Sequence, residues 1–251
     1  MALRSPFRRS RAGSSVVPGD GQSDARRGPR GNGVAFVREV AVILISALVM
    51  SLVVKTFLAQ AFVIPSASMR DTLREGDRVL VNKLVRGLVD LRRGDVVVFS
   101  DPGGWLPDGE ATPTNAVQAA LIAVGLLPQP SEDHLIKRVI ALPGDRVVSS
   151  GRGDPLTVNG VGIDESSYTA PGSSPSSVAF DVVVPEGSLW VMGDNRQQSS
   201  DSTYHLLDAG GGAIPVDTVV GRAFLTVWPA DRLGVLDRHA DVYADVPEAQ
   251  R

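Results

Sequence analysis

The feature that most limits how this 251-residue chain can fold is an uncharged, apolar run of 15 residues, Val40–Val54, set behind a strongly basic arm. Fifteen helical residues span ~22 Å, short of the roughly 30 Å hydrocarbon core of a bilayer. The span lengthens if Arg38 and Lys55 reach back along their aliphatic stems to opposite interfaces, since Val34–Val37 and Thr56–Leu58 are compatible with helix. The sequence therefore predicts one tilted transmembrane helix over 34–58. A buried core helix is the plainer alternative. Residues 1–33 are rich in Arg, Gly, Ser and Pro and lack apolar periodicity, so a disordered tail is expected there.

Charge is segregated along the chain. Residues 1–39 carry eight arginines against Asp20, Asp24 and Glu39, whereas 56–251 carry 16 basic and 25 acidic groups, a net of −9. Arginines flanking a span mark its cytoplasmic side, which places the acidic body outside. An acidic body is no nucleic-acid surface. Ala59-Gln60-Ala61 also reads as a small-x-small cleavage site, although the leader is far longer than a usual signal peptide's charged region; cleavage after Ala61 stays open. Cysteine is absent, which removes disulfides, thiolate metal sites and a cysteine nucleophile.

Beyond Pro65 the text becomes short β-branched runs divided by Gly, Pro and Asp. Strands are expected at Arg78–Val81, Asp95–Phe99, Lys137–Leu142, Arg146–Val148, Leu156–Val158, Val178–Val184, Leu189–Met192 and Val219–Val227, with turns at Gly76-Asp77, Gly94-Asp95, Pro143-Gly144-Asp145, Asn159-Gly160 and Pro185-Glu186-Gly187. Ala116–Leu127 suits a short helix or an interfacial segment. The fold class is mostly β: coiled antiparallel sheets or a partly open barrel behind one helix. The body is expected to run over 59–235 with insertions at 103–133 and 150–177, and 236–251 reads as a tail.

Three groups could carry chemistry. Ser68 stands just beyond the span in Ile64-Pro65-Ser66-Ala67-Ser68-Met69; Ser66, two residues away, shares its face on an extended chain, so one hydroxyl can attack while the other donates to an oxyanion. The bland reading is a polar turn. His134, His205 and His239 stand in no pattern that demands catalysis. Only three of the 25 basic residues are lysines, Lys55, Lys83 and Lys137. Lys137 is flanked by Leu135, Ile136, Val139 and Ile140. Burial lowers an amine's pKa, and a neutral amine can take a serine's proton; a strand lysine paired with a carboxylate is the alternative. Gly193–Ser202 (GDNRQQSSDS) follows an apolar strand and could wall a polar site or form a solvated hairpin. Two aspartates without histidines make a poor transition-metal site. No metal or cofactor is implied.

In order along the chain, IPSASM with Asp71-Thr72-Leu73, GDRVLVNKL (76–84), RRGDVVVF (92–99), IKRVIALPGD (136–145) and GDNRQQSSDS (193–202) resemble the boxes of bacterial type I signal peptidases, over about 34–229. The resemblance implies a membrane-bound serine endopeptidase that removes signal peptides from exported preproteins after Ala-x-Ala-like sites. Ser68 would be the nucleophile and Lys137 the general base. The Ser68 N–H and the Ser66 hydroxyl would form the oxyanion hole. Ser199 would orient the lysine amine and Asp201 would support the loop. Where the family pattern ends Asp-Ser-Arg, this chain reads Asp201-Ser202-Thr203, so Arg138 or Arg196 is expected to stand in as partner. Ile64, Met69, Leu73, Leu135 and Ile136 match positions lining the small substrate pockets. Phe62, Val63 and Trp228 could dip into the outer leaflet. Two other readings remain: a self-cleaving repressor, which shares Ser/Lys chemistry but lacks the anchor, and a non-catalytic membrane-tethered β-domain that binds peptides or envelope components. Oligomeric state is not legible.

Overall fold

The structure, a computed structural model, describes residues 32–53, 58–84, 91–106, 115–123 and 133–249. Residues 1–31 of the expected tail, Lys55 with its neighbours, and 107–114 and 124–132 of the expected 103–133 insertion lie outside them. The chain divides into two compact units, 1–44 and 45–251.

Helix α1 covers Asn32–Val53, so Asn32 and Gly33 are helical rather than part of a tail. Its 22 residues reach ~33 Å, enough to cross a hydrocarbon core. The stretch Gly33–Val53 has the length and composition of a membrane span, and none of its most apolar window is buried. A second, short helix, α2, covers Ala116–Ala123.

The remainder is β-rich. Strands β1 (Ala59–Val63), β2 (Arg78–Asn82), β3 (Val96–Ser100), β4 (His134–Ala141), β9 (Ser188–Met192), β10 (Ile214–Pro215), β11 (Val219–Trp228) and β12 (Gly234–Val235) form one antiparallel sheet. Its order is β1-β2-β11-β3-β4-β9-β10, with β12 on β11. A smaller sheet holds β5 (Arg146–Ser150), β6 (Thr157–Val158), β7 (Val161–Gly162) and β8 (Ala179–Val183) in the order β7-β6-β5-β8. The large sheet is curled into a half-barrel. In a flat sheet β1 and β4, with three strands between them, would stand about 19 Å apart. Yet Phe62 of β1 and His134 of β4 bring their rings to 5.2 Å. Register shifts in β11 against both neighbours, and in β4 against β9, supply local twist for that curl.

One turn design recurs. At Gly76-Asp77, Gly94-Asp95 and Gly144-Asp145 the glycine takes a left-handed backbone, and the aspartate carboxylate accepts the N–H of the residue three positions earlier: Arg74, Arg92 and Leu142. Glycine meets the first demand without steric cost and a short carboxylate meets the second.

Two expected boundaries differ from the structure. The 150–177 segment is no mere insertion: it supplies β6 and β7, and Leu156, Val158 and Ile163 are core residues. The 236–251 segment is not a free tail, because Tyr243 and Val246 pack into that same core. Tyr243 also shares a hydrogen bond with Tyr168, whose hydroxyl donates to Glu165, the partner of buried Arg196. Within 150–177 the strand expected at Leu156–Val158 is β6, whereas β7 carried no signal, and the apolar residues after 236 are interrupted by Asp241 and Asp245.

Candidate active site

Pro65 ends β1's extended run, and a single 3-10 turn, Ala67–Met69, follows. The turn carries Ser68 inward, to 5% exposure, and leaves Ser66 exposed. Lys137 comes from the middle of β4, in register with Val97 of β3, and is 3% exposed. Its Nζ donates to Ser68 Oγ at 2.8 Å across 69 residues of sequence. Ser66 Oγ lies 3.3 Å from Ser68 Oγ.

Among the described residues no carboxylate forms a salt bridge with Lys137. Burial therefore dominates, and it pushes the amine down to about 8; the more distant charges of Asp201 and Asp194 pull back only in part. An amine so placed is neutral in a usable fraction of molecules near neutral pH and lies within proton-transfer distance of a hydroxyl.

The loop 193–202 grips the serine turn from the other side. Asn195 donates its backbone N–H to the Ser68 carbonyl at 3.0 Å and its side-chain amide to the Ala67 carbonyl at 3.1 Å. Gly193 has no room for a side chain: a Cβ there would stand 2.3 Å from Ser199 Oγ and 2.5 Å from the Ser68 carbonyl oxygen. Beneath this contact Arg138, wholly buried, forms a two-pronged ion pair with Asp194 at 2.9 and 2.8 Å. Thr72 donates to the same carboxylate, and Arg138 also donates to the Gly94 and Asp237 carbonyls. Its guanidinium lies 4.3 Å from the Tyr168 ring centroid.

Some expected contacts differ. Ser199 is close by but its buried Oγ has no hydrogen-bond partner, so the expected bond to the lysine amine is not made. Asp201 accepts from the Gly193 N–H at 3.0 Å and from the Thr203 N–H and hydroxyl at 3.1 and 2.8 Å. Neither proposed arginine partner reaches it: Arg138 is spent on Asp194 and Arg196 on Glu165. Thr203 itself fills the role, because a hydroxyl two residues on closes a local turn without a cation. Ile64, Met69, Leu73 and Ile136 are buried in one core cluster and Leu135 in another. Met69 and Leu73 have no exposed surface at all, so here they are core beneath the serine turn rather than open pocket wall. Phe62 is 1% exposed and packs on His134, which removes it from any lipid-facing surface. Val63 is partly exposed and Trp228 is 53% exposed.

Sequence reading gave no role to Gly193, Asp194, Asn195 or Thr72. Their partners on other elements lie 56 to 128 residues away in the chain, and the local signal was the density of turn-formers after an apolar strand.

Residues 37–228 match the family model described as signal peptidase, peptidase S26. The signal peptidase I of Mycobacterium tuberculosis is 37% identical over 246 residues, covering 87% of this chain and 81% of that protein. The probable signal peptidase I of Mycobacterium leprae is 36% identical over 227 residues, 78% of each chain. The probable signal peptidase I-2 of a Synechocystis species is 35% identical over 204 residues, 81% of this chain and 78% of that one.

Proposed function

Because this chain belongs to the signal peptidase family, peptidase S26, and is a serine endopeptidase, we propose that it removes signal peptides from exported preproteins with Ser68 as nucleophile and Lys137 as general base. The observation that carries this reading is the 2.8 Å contact between a buried, carboxylate-free amine and a buried serine hydroxyl.

The geometry supports the following chemistry. Neutral Lys137 takes the Ser68 proton as Oγ attacks the scissile carbonyl carbon. The oxyanion that forms is held by the Ser68 N–H and by the Ser66 hydroxyl, 3.3 Å from the attacking oxygen before reaction. As the C–N bond breaks, the Lys137 ammonium returns its proton to the leaving amine, which departs as the new N-terminus of the mature protein. Water then attacks the acyl-serine, Lys137 again accepting and returning a proton. A signal peptide bound as an extended strand would present its small side chains over Ile64, Leu135 and Ile136, with Met69 and Leu73 as backing; lack of space there selects Ala-x-Ala-like ends. Helix α1 would hold the enzyme in the membrane, the arginine-rich arm inside and the site outside.

Cleavage of a preprotein by the full chain in detergent tests the reading. Ser68→Ala and Lys137→Ala each lower the rate by at least about a thousandfold. Lys137→Arg is equally inactive, because guanidinium keeps its proton. Substantial cleavage by Lys137→Ala removes the lysine from the mechanism.

A further inference from the structure

Loop 193–202 is fastened at both ends, is cross-tied by Asp201, which accepts the Gly193 N–H, and carries one further tie that leads out of the loop to a histidine. Near its start Asn195 holds the Ser68 and Ala67 carbonyls, and Arg196 is paired with Glu165. Near its end Ser202 Oγ accepts the Val191 N–H at 2.9 Å. Between them the Ser199 hydroxyl is buried and unpartnered, wedged against Gly193 beside the Ser68 carbonyl. Ser200 is the next residue, and its Oγ lies 2.9 Å from His205 Nε2. His205 Nδ1 lies 2.6 Å from Asp208 Oδ2. The imidazole stacks on Trp105 with centroids 4.3 Å apart and planes 5° from parallel.

Trp105 is itself fixed. Asp101 accepts the backbone N–H groups of Gly103, Trp105 and Leu106, and Phe99 of β3 meets the indole edge-on at 5.8 Å. A rigid chain of contacts thus runs from β3 through Trp105 and His205 to Ser200.

We propose that His205 is a positioning residue for the cleavage reaction, holding the Ser199 hydroxyl beside the Ser68–Lys137 pair by way of Ser200. With its proton kept on Nδ1 by Asp208, the imidazole presents Nε2 as acceptor to the Ser200 hydroxyl. The stack on Trp105 stops the ring from turning. One peptide bond then transmits that position to Ser199. The serine, histidine and aspartate have the connectivity of a catalytic triad. Their setting differs: all three lie within nine residues of one loop, and the Asp208 side chain is half exposed. That suits a strut rather than a second nucleophile. The described part of the 103–133 segment also gains a task, since Trp105 is what the strut leans on.

The inference rests on the Ser68–Lys137 assignment, and preprotein cleavage by the full chain separates the two. Ser200→Ala, which removes one partly exposed hydroxyl, lowers kcat about tenfold with KM unchanged. His205→Ala does the same, and Trp105→Phe, which keeps a stacking face, stays close to the parent. The deciding measurement combines His205→Ala with Ser199→Ala. If His205 acts through Ser199, the double variant is no slower than Ser199→Ala alone. Losses that multiply overturn the proposal, and so does a folded Ser200→Ala enzyme with parental kcat. Lys137→Ala is run alongside: activity there removes the dyad itself, whereas a dead Lys137→Ala with multiplying losses removes only the strut.

Discussion

Arg138 and Asp194 form a bidentate ion pair in which both side chains are wholly buried, and each is the immediate neighbour of a residue at the site. Arg138 follows Lys137 on β4. Asp194 precedes Asn195, which holds the Ser68 carbonyl. The pair therefore bolts the strand of the amine to the loop that clasps the serine.

Breaking that bolt leaves a charged guanidinium in the core without its counter-ion. Asp194→Asn is expected to lower stability by about 3–5 kcal/mol, read as a fall in the urea midpoint with an unchanged slope. Thr72→Val, which removes only one donor to the carboxylate, costs about 1 kcal/mol in the same measurement.

The pH profile follows from Lys137. Its amine is pushed down to about 8 by burial, and the proposed reaction needs the neutral form. kcat/KM for the full enzyme should rise with pH through a midpoint near 8 and level off above it. At pH 6 the neutral fraction is only about 1%, by the logarithmic dependence of protonation on pH. A midpoint at an ordinary lysine value, above pH 10, would show an amine open to water.

Gly193→Ala tests the close approach of loop and turn. The added methyl must push either Ser199 or the Ser68 carbonyl aside, and displacement by about 1 Å costs roughly a hundredfold in rate. The loss should appear in kcat, in protein that still melts cooperatively.

The proposed anchor predicts behaviour in the cell. Full-length chain should stay with membranes after alkaline carbonate extraction, and removing residues 32–53 should release it. Extraction of the intact chain by carbonate would contradict the span.

Much of this was legible in the sequence because it is written locally. An uncharged run reports a long apolar helix, β-branched runs between Gly-Asp turns report strands, and a lysine among apolar neighbours in a lysine-poor chain reports a buried amine. What escaped has its cause elsewhere in the chain. The partners of Asp194 are Arg138 and Thr72, and nothing near Asp194 announces them. Strand β7 is two residues long, below the length at which alternation can be read. Tyr243 and Val246 are core residues in a short apolar stretch interrupted by Asp241 and Asp245, too short to show a period. Thr203 replaced an expected arginine by a hydrogen bond, a substitution that only geometry reveals.

The strand order has a consequence for when this protease can exist. β1 and β2, beside the serine turn, pair with each other, as do β3, β4 and β9, which bring the lysine. The ladder joining these two groups is β11, which begins at Val219. A chain that has not yet reached these residues has no strand ladder between the two halves of its scissors. Pairing of the serine half with the lysine half through the sheet therefore waits for residues 219–228.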